Sequence, residues 1–121
     1  MPDAQSLSSL AFLFLTFGHS TDGSMSIDEM RALAKRLHAW APEHDLKEIG
    51  AVIKDTVAAY KAEADTMARA REHAAALKGR ASAEHLRQVV TDLQEIASAD
   101  GTISAEEQAF IDEMAADFGV A

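Results

Sequence analysis

The chain of 121 residues has no cysteine, which excludes a disulfide scaffold, a thiolate zinc site and a cysteine nucleophile. It has only two prolines and six glycines, which argues against a turn-rich all-β fold. The dense apolar run at residues 10–17 is too short to span a bilayer. Asp3 stands where a secretory signal would have basic residues. We therefore expect a single cytoplasmic domain over residues 1–121 with no membrane span.

Basic residues are missing from the last third of the chain. All 11 Lys and Arg residues lie in residues 1–87, whereas residues 88–121 carry eight acidic residues and account for −8 of the net charge of −9. Such a surface repels the phosphates of nucleic acid, so we expect no nucleic-acid partner. It attracts cations or a basic protein partner, or it is simply a solvated face.

Apolar residues recur at helical spacing along almost the whole chain. The segment at residues 7–17 is apolar on all of its faces, which predicts a helix in the middle of a bundle that ends near Gly18. A second helix is predicted to end at Pro42. Further apolar stripes occupy residues 82–97 and 104–118. The fold class is therefore predicted to be all-α, a compact bundle of five or six helices with short connections.

The middle of the chain allows two interpretations. Apolar residues at alternating steps of three and four permit one helix as long as residues 46–77, capped at its start by Asp45. A break near residues 63–66 is also compatible with the sequence, because Asp65 can cap a new helix. Both interpretations stay open, and in both Gly79 ends the segment.

A ten-residue segment occurs twice at an offset of 78 residues. Residues 20–29 read STDGSMSIDE and residues 98–107 read SADGTISAEE, with five identical positions. Each copy ends in the Ser-x-x-Glu pattern of a capping box and lies between two predicted helices. The duplication predicts two helix–loop–helix units in a pseudo-twofold arrangement.

The pattern Asp-Gly-x-hydrophobic-Ser-x-x-Glu between two helices, used twice, resembles the TerB family of bacterial tellurite-resistance proteins and TerB-like domains. The strongest match is IASADGTISAEE at residues 96–107, and the resemblance covers nearly the whole chain in helix order and loop placement. It implies an all-helical, cytoplasmic bacterial protein that is associated with stress operons and metal-ion sensing. It also implies candidate divalent-cation sites at acidic loop residues.

The two loops also resemble the second half of an EF-hand calcium loop. Asp100 and Glu107 fit its acidic positions 5 and 12, and Asp22 and Glu29 fit them in the first copy. The acidic residue of position 1 is missing, so any affinity should be weak, with a Kd of about 10⁻⁴–10⁻³ M. Tighter binding would need further carboxylates, for instance Asp92, Glu95 or Glu106.

The same motif also has a purely structural interpretation. Glycine permits a tight turn, and the aspartate before it stabilises that turn through its own side chain. Serine and glutamate then cap the next helix, which is worth about 1 kcal/mol. Two interpretations thus stay open for Asp22, Glu29, Asp100 and Glu107, as ligands of Ca²⁺, Mg²⁺, Mn²⁺ or Zn²⁺ and as parts of capped turns. The two are compatible, because EF-hands use the same positions as caps.

Support for catalysis is lacking in the sequence, which has no nucleophile elbow, no phosphate-cradling glycine loop and no His-x-x-x-His pair. We therefore expect a non-enzymatic TerB-like domain that binds a divalent cation and no organic cofactor. The alternative is an acidic protein–protein interaction module that docks on a basic partner and has no metal role. The sequence specifies neither the metal nor the oligomeric state.

Overall fold

The computed structural model describes residues 4–18, 27–97, 103 and 105–120. These residues form six helices and, within the described ranges, no strand. The helices are α1 (Ala4–Gly18), α2 (Ile27–Trp40), α3 (Leu46–Ala62), α4 (Thr66–Lys78), α5 (Ala83–Ala97) and α6 (Ala105–Phe118). The predicted all-α bundle is confirmed, with six helices. None of these helices combines the length and the apolar character that crossing a membrane requires.

The first helix forms the centre of the bundle. α1 packs against α2, α3, α4 and α5. Each of its apolar side chains between Leu7 and Phe17 is at most 5% exposed. The prediction from the sequence is confirmed, because a helix that is apolar on all faces is stable in water only when other helices cover every face.

The middle of the chain forms two helices. Asp45 begins α3 with a capping box, in which its carboxylate accepts from the backbone N–H of Glu48 and the Glu48 carboxylate accepts from the backbone N–H of Asp45. The helix ends at Glu63, whose backbone is extended with ψ 126°. Asp65 then caps α4 by accepting from the N–H of Ala68 at 3.0 Å. Of the two interpretations that the sequence allows, the break is the correct one.

A partly buried polar contact joins α4 to the central helix. The hydroxyl of Ser9 lies 3.0 Å from Nδ1 of His73. The His73 ring also packs against Phe12, with 4.6 Å between ring centroids. Burial disfavours the charged imidazolium and lowers the pKa of His73 below its ordinary value.

The repeat in the sequence extends to the helices on either side of each loop. Ile27 and Ala105, which begin α2 and α6, are 78 residues apart, and so are Trp40 and Phe118, which end them. α1 packs against α2 as α5 packs against α6, and α1 and α5 contact each other. The two helix–loop–helix units therefore use helices of the same length. The loops themselves, residues 19–26 and 98–102, lie outside the described residues.

Replacing Asp65 by alanine should lower the free energy of unfolding by about 1 kcal/mol, because the first turn of α4 loses the acceptor of an N–H group. Equilibrium unfolding in urea, followed by circular dichroism, measures this loss. Asp55→Ala is the matched control, since Asp55 is exposed in the middle of α3, and it should change the free energy by less than about 0.5 kcal/mol. Equal losses in both variants would contradict a capping role for Asp65.

Acidification should destabilise the wild-type protein more than a His73→Gln variant. The pKa of His73 is lowered in the folded state, so the unfolded state binds the proton first as the pH falls through the ordinary value of 6.5. The stability that the neutral ring contributes is present above that pH and is lost below it.

Thermal melts between pH 7.5 and 5.5 test this difference. His44 has its pKa raised, first by the hydrogen bond with Glu48, and titrates with the opposite sign. It is present in both proteins and cancels from the comparison. Parallel curves for the wild type and His73→Gln would show that burial of His73 does not contribute to the pH dependence.

Candidate functional site

Of the four predicted cation ligands, only Glu107 is fully described by the structure. Asp22 and Asp100 lie outside the described residues, and for Glu29 the description covers its place in the first turn of α2 but not its side chain. Glu107 is the third residue of α6, and its side chain is partly buried. No group of three or more His, Asp or Glu side chains that could hold a metal ion occurs among the described residues. The ligand set of the two loops therefore stays a prediction.

Two of the three carboxylates considered as additional ligands are bound by an arginine. Asp92 and Glu95 on α5 both accept from Nη1 of Arg36 on α2, at 3.1 and 3.3 Å. Glu106, in the first turn of α6, is exposed. Using Asp92 or Glu95 as a cation ligand would require breaking their ion pairs with Arg36.

Asp92 is the centre of a polar cluster between α2 and α5. Its side chain is only 7% exposed. Oδ1 accepts from Arg36 and from Nε2 of Gln88 at 2.9 Å, and Oδ2 accepts from Nε1 of Trp40 at 2.8 Å. A buried carboxylate is costly unless donors replace its water, and three side chains supply them here.

Helical spacing brings these donors together. Arg36 and Trp40 are four residues apart on α2, and Gln88 and Asp92 are four residues apart on α5, so each pair shares one face. Asp92 lies between the buried Val89 and Leu93, which turns its carboxylate toward the core edge. Arg36 and Trp40 on α2 therefore lie within hydrogen-bond distance of Asp92 on α5.

The cluster lies in a groove between α2 and α5 with a volume of about 650 Å³. The His85 ring packs at a tilt against Trp40, with 5.8 Å between centroids. A volume of this size is within the range of ligand-binding pockets. The groove is lined by Ala32, Lys35, Arg36, Ala39, Trp40, His85, Gln88 and Asp92.

Charged side chains also join α4 to α6. The guanidinium of Arg71 lies over the ring of Phe110 at 5.3 Å and pairs with Glu113 at 3.5 Å. About one turn further along α6, Asp117 pairs with Lys78 at 3.6 Å. Basic residues of α4 thus neutralise two of the acidic residues of the last third.

Sequence reasoning missed the cluster around Asp92. It treated Asp92 only as a further carboxylate for a cation site. The signal was present, because Asp92 interrupts the apolar stripe of α5 and a charge at such a position needs a partner. Which helix would supply the partner could not be read from the sequence, since Arg36 is 56 residues away.

Asp92→Ala should lower the free energy of unfolding by about 1–3 kcal/mol, because it leaves the Trp40 N–H and the Arg36 guanidinium without their buried acceptor. Urea unfolding monitored by circular dichroism gives the value. Glu95→Gln is the control, since Glu95 is exposed and bound by the same arginine, and it should cost less than about 1 kcal/mol. A loss no larger in Asp92→Ala than in Glu95→Gln would contradict a structural role for the buried carboxylate.

Comparison with known proteins identifies the family. The family model described as "Tellurite resistance protein TerB" matches residues 10–121, which is nearly the whole chain. No curated protein and no solved structure matches the chain. The six-helix bundle and the duplicated loop motif agree with the family match. The chain therefore belongs to the TerB family.

Proposed function

We propose that this chain is a non-enzymatic TerB domain that binds a divalent cation through two acidic loop–helix units, Asp22–Glu29 and Asp100–Glu107. One observation carries the proposal: the helices begin at the same point of the repeated motif. Ile27 follows Asp22 by five positions, as Ala105 follows Asp100. The glutamate of each unit is therefore the third residue of its helix.

Loop and helix can contribute ligands together at this spacing. In an EF-hand the loop supplies oxygen ligands, and a glutamate at its twelfth position completes the shell. The aspartate and glutamate of each unit here match positions 5 and 12 of that frame. A donor set made only of oxygen atoms suits Ca²⁺, Mg²⁺ or Mn²⁺ better than Zn²⁺.

The ion pairs of α5 support a weak rather than a tight site. Asp92 and Glu95 are held by Arg36, so the carboxylates nearest the second loop on that helix are already neutralised. The site would then depend on the loop carboxylate, Glu107 and backbone oxygens, which agrees with a Kd of about 10⁻⁴–10⁻³ M. We propose the link to the tellurite or metal-stress response on family membership alone.

The structure reduces the support for the alternative, an acidic module that docks on a basic partner. Within the described part of residues 88–121, four acidic residues form ion pairs with earlier basic residues. The acidic residues are Asp92, Glu95, Glu113 and Asp117, and their partners are Arg36, Arg71 and Lys78. Much of the charge that would attract a basic partner is thus neutralised within the chain, and the docking role stays a prediction.

Titration of chelator-treated protein with Ca²⁺, Mg²⁺, Mn²⁺ and Zn²⁺ tests cation binding, by calorimetry and by thermal melts. With a Kd of about 1 mM, 10 mM cation adds about 1.4 kcal/mol of stability. That corresponds to a rise in Tm of about 5 °C for a chain of this size. Asp100→Ala and Glu107→Gln should remove most of the rise if the second loop holds the ion.

Glu106→Gln is the matched control, because Glu106 is the exposed neighbour of Glu107 in the same first turn. It removes the same charge and should keep most of the rise. An equal reduction in both glutamine variants would indicate a general charge effect. Absence of any saturable effect at 10 mM, with the variants merely less stable, would leave the loops as capped turns.

A further inference from the structure

The repeat relates the groove between α2 and α5 to a part of the molecule that is covered by a helix. The 78-residue offset relates α2 to α6 and α5 to α1. α4 packs against both α1 and α6. Within the described part of the chain, only α1 packs closely against both α2 and α5. Where α4 covers α1 and α6, the equivalent helices α5 and α2 have an open groove between them.

Four of the five residues of α2 that line the groove correspond to residues of α6 that line the cavity beside α4. Ala32, Lys35, Arg36 and Ala39 correspond to Phe110, Glu113, Met114 and Asp117, and all four of the latter line the cavity beside α4 together with Arg71 and Ala74. The face of α2 is thus the equivalent of a helix-binding face. Among the described residues, only the copy on α6 has a helix of this kind beside it.

Two residues in the groove differ in chemistry from the residues that correspond to them in the other repeat unit. Trp40 and Asp92 correspond to Phe118 and Phe14, both of which are buried. In the groove the tryptophan is only partly buried and is held by its hydrogen bond to Asp92. The corresponding pair beside α4 is apolar and buried, whereas the hydrogen-bonded pair in the groove leaves the Trp40 ring partly exposed.

The charges on the two faces are opposite. In the covered copy, Arg71 of α4 pairs with Glu113. The residue that corresponds to Glu113 is Lys35, whose exposed side chain forms no ion pair with the carboxylates of the described residues. A helix seated on the groove would therefore need an acidic residue where α4 has Arg71.

We propose that the groove between α2 and α5 docks an amphipathic helix of a partner protein, with small apolar residues against Ala32, Ala39 and Trp40 and an acidic residue against Lys35. α4 shows the packing that such a helix would repeat, since its buried face consists of Ala70, Ala74 and Leu77. Small side chains on both helices allow their backbones to approach closely. The acidic residue replaces the Arg71–Glu113 pair by one of reversed polarity.

A synthetic peptide with the sequence of residues 63–80 and the change Arg71→Glu is the probe. A short helix is marginal in water, so a covalent staple between positions 68 and 72, both exposed in α4, holds its conformation. Trp40 is the chain's only tryptophan and lines the groove, so its fluorescence reports binding directly. The control is the same stapled peptide with Arg71 kept.

The expected result is a saturable change of Trp40 fluorescence, with the Arg71→Glu peptide binding about fivefold more tightly than the control peptide. The protein variant Lys35→Glu should reverse this order. It places the new charge on an exposed side chain, and its circular dichroism should match that of the wild type. Equal affinity of the two peptides, an order that Lys35→Glu does not reverse, or no binding would overturn the proposal.

Sedimentation and NMR chemical-shift mapping distinguish a partner helix in the groove from a second copy of this chain and from binding elsewhere. Without peptide, the protein should show no self-association in sedimentation. In a separate fluorescence measurement, Trp40 should stay accessible to a soluble quencher. Self-association that hides Trp40 and is abolished by Lys35→Glu would identify a second copy as the occupant, against a partner protein. Shift changes on addition of peptide should include the Trp40 indole N–H and Ala39, and changes confined to α4 and α6 would overturn the assignment to this groove.

Discussion

The first helix constrains the rest of the structure, because it is apolar on every face. A helix of this kind cannot lie on a surface, so four other helices are needed to cover it. α4 and α3 lie against it from the middle of the chain, α2 follows it directly, and α5 reaches it from the second unit. The first copy of the repeated motif therefore follows the most deeply buried helix of the bundle directly in the sequence.

The break between α3 and α4 follows from the same constraint. One helix over residues 46–77 would be about 48 Å long, much longer than the helix that it has to cover. The turn at Glu63 and the cap at Asp65 let the chain lie against α1 twice. His73 and Ser9 then form a polar contact at the second of these interfaces.

Ion pairs between helices offset part of the charge that the acidic last third brings to a chain of net charge −9. Arg36 receives two carboxylates of α5, and α4 pairs with two carboxylates of α6. Most of these pairs are exposed and contribute little to stability individually. The pair with Asp92 differs, because its carboxylate is buried and also holds Trp40. The side chain of Asp92 therefore connects α5 to α2 through hydrogen bonds with Arg36 and Trp40.

The sequence by itself determined the helical class, the central place of α1, the cap at Asp45, and the duplicated loop motif with its family. The helices and their caps depend on residues within about four positions of each other, so periodicity and capping patterns reveal them. The duplicated motif is found by comparing the sequence with itself. Only the tertiary structure decided between one helix and two in the middle of the chain, since the caps allowed both. It also decided the partners of Asp92, the neutralisation of the acidic third and the open groove on α2. Each of these depends on how helices more than 30 residues apart are placed against each other, and local spacing contains no information about that placement.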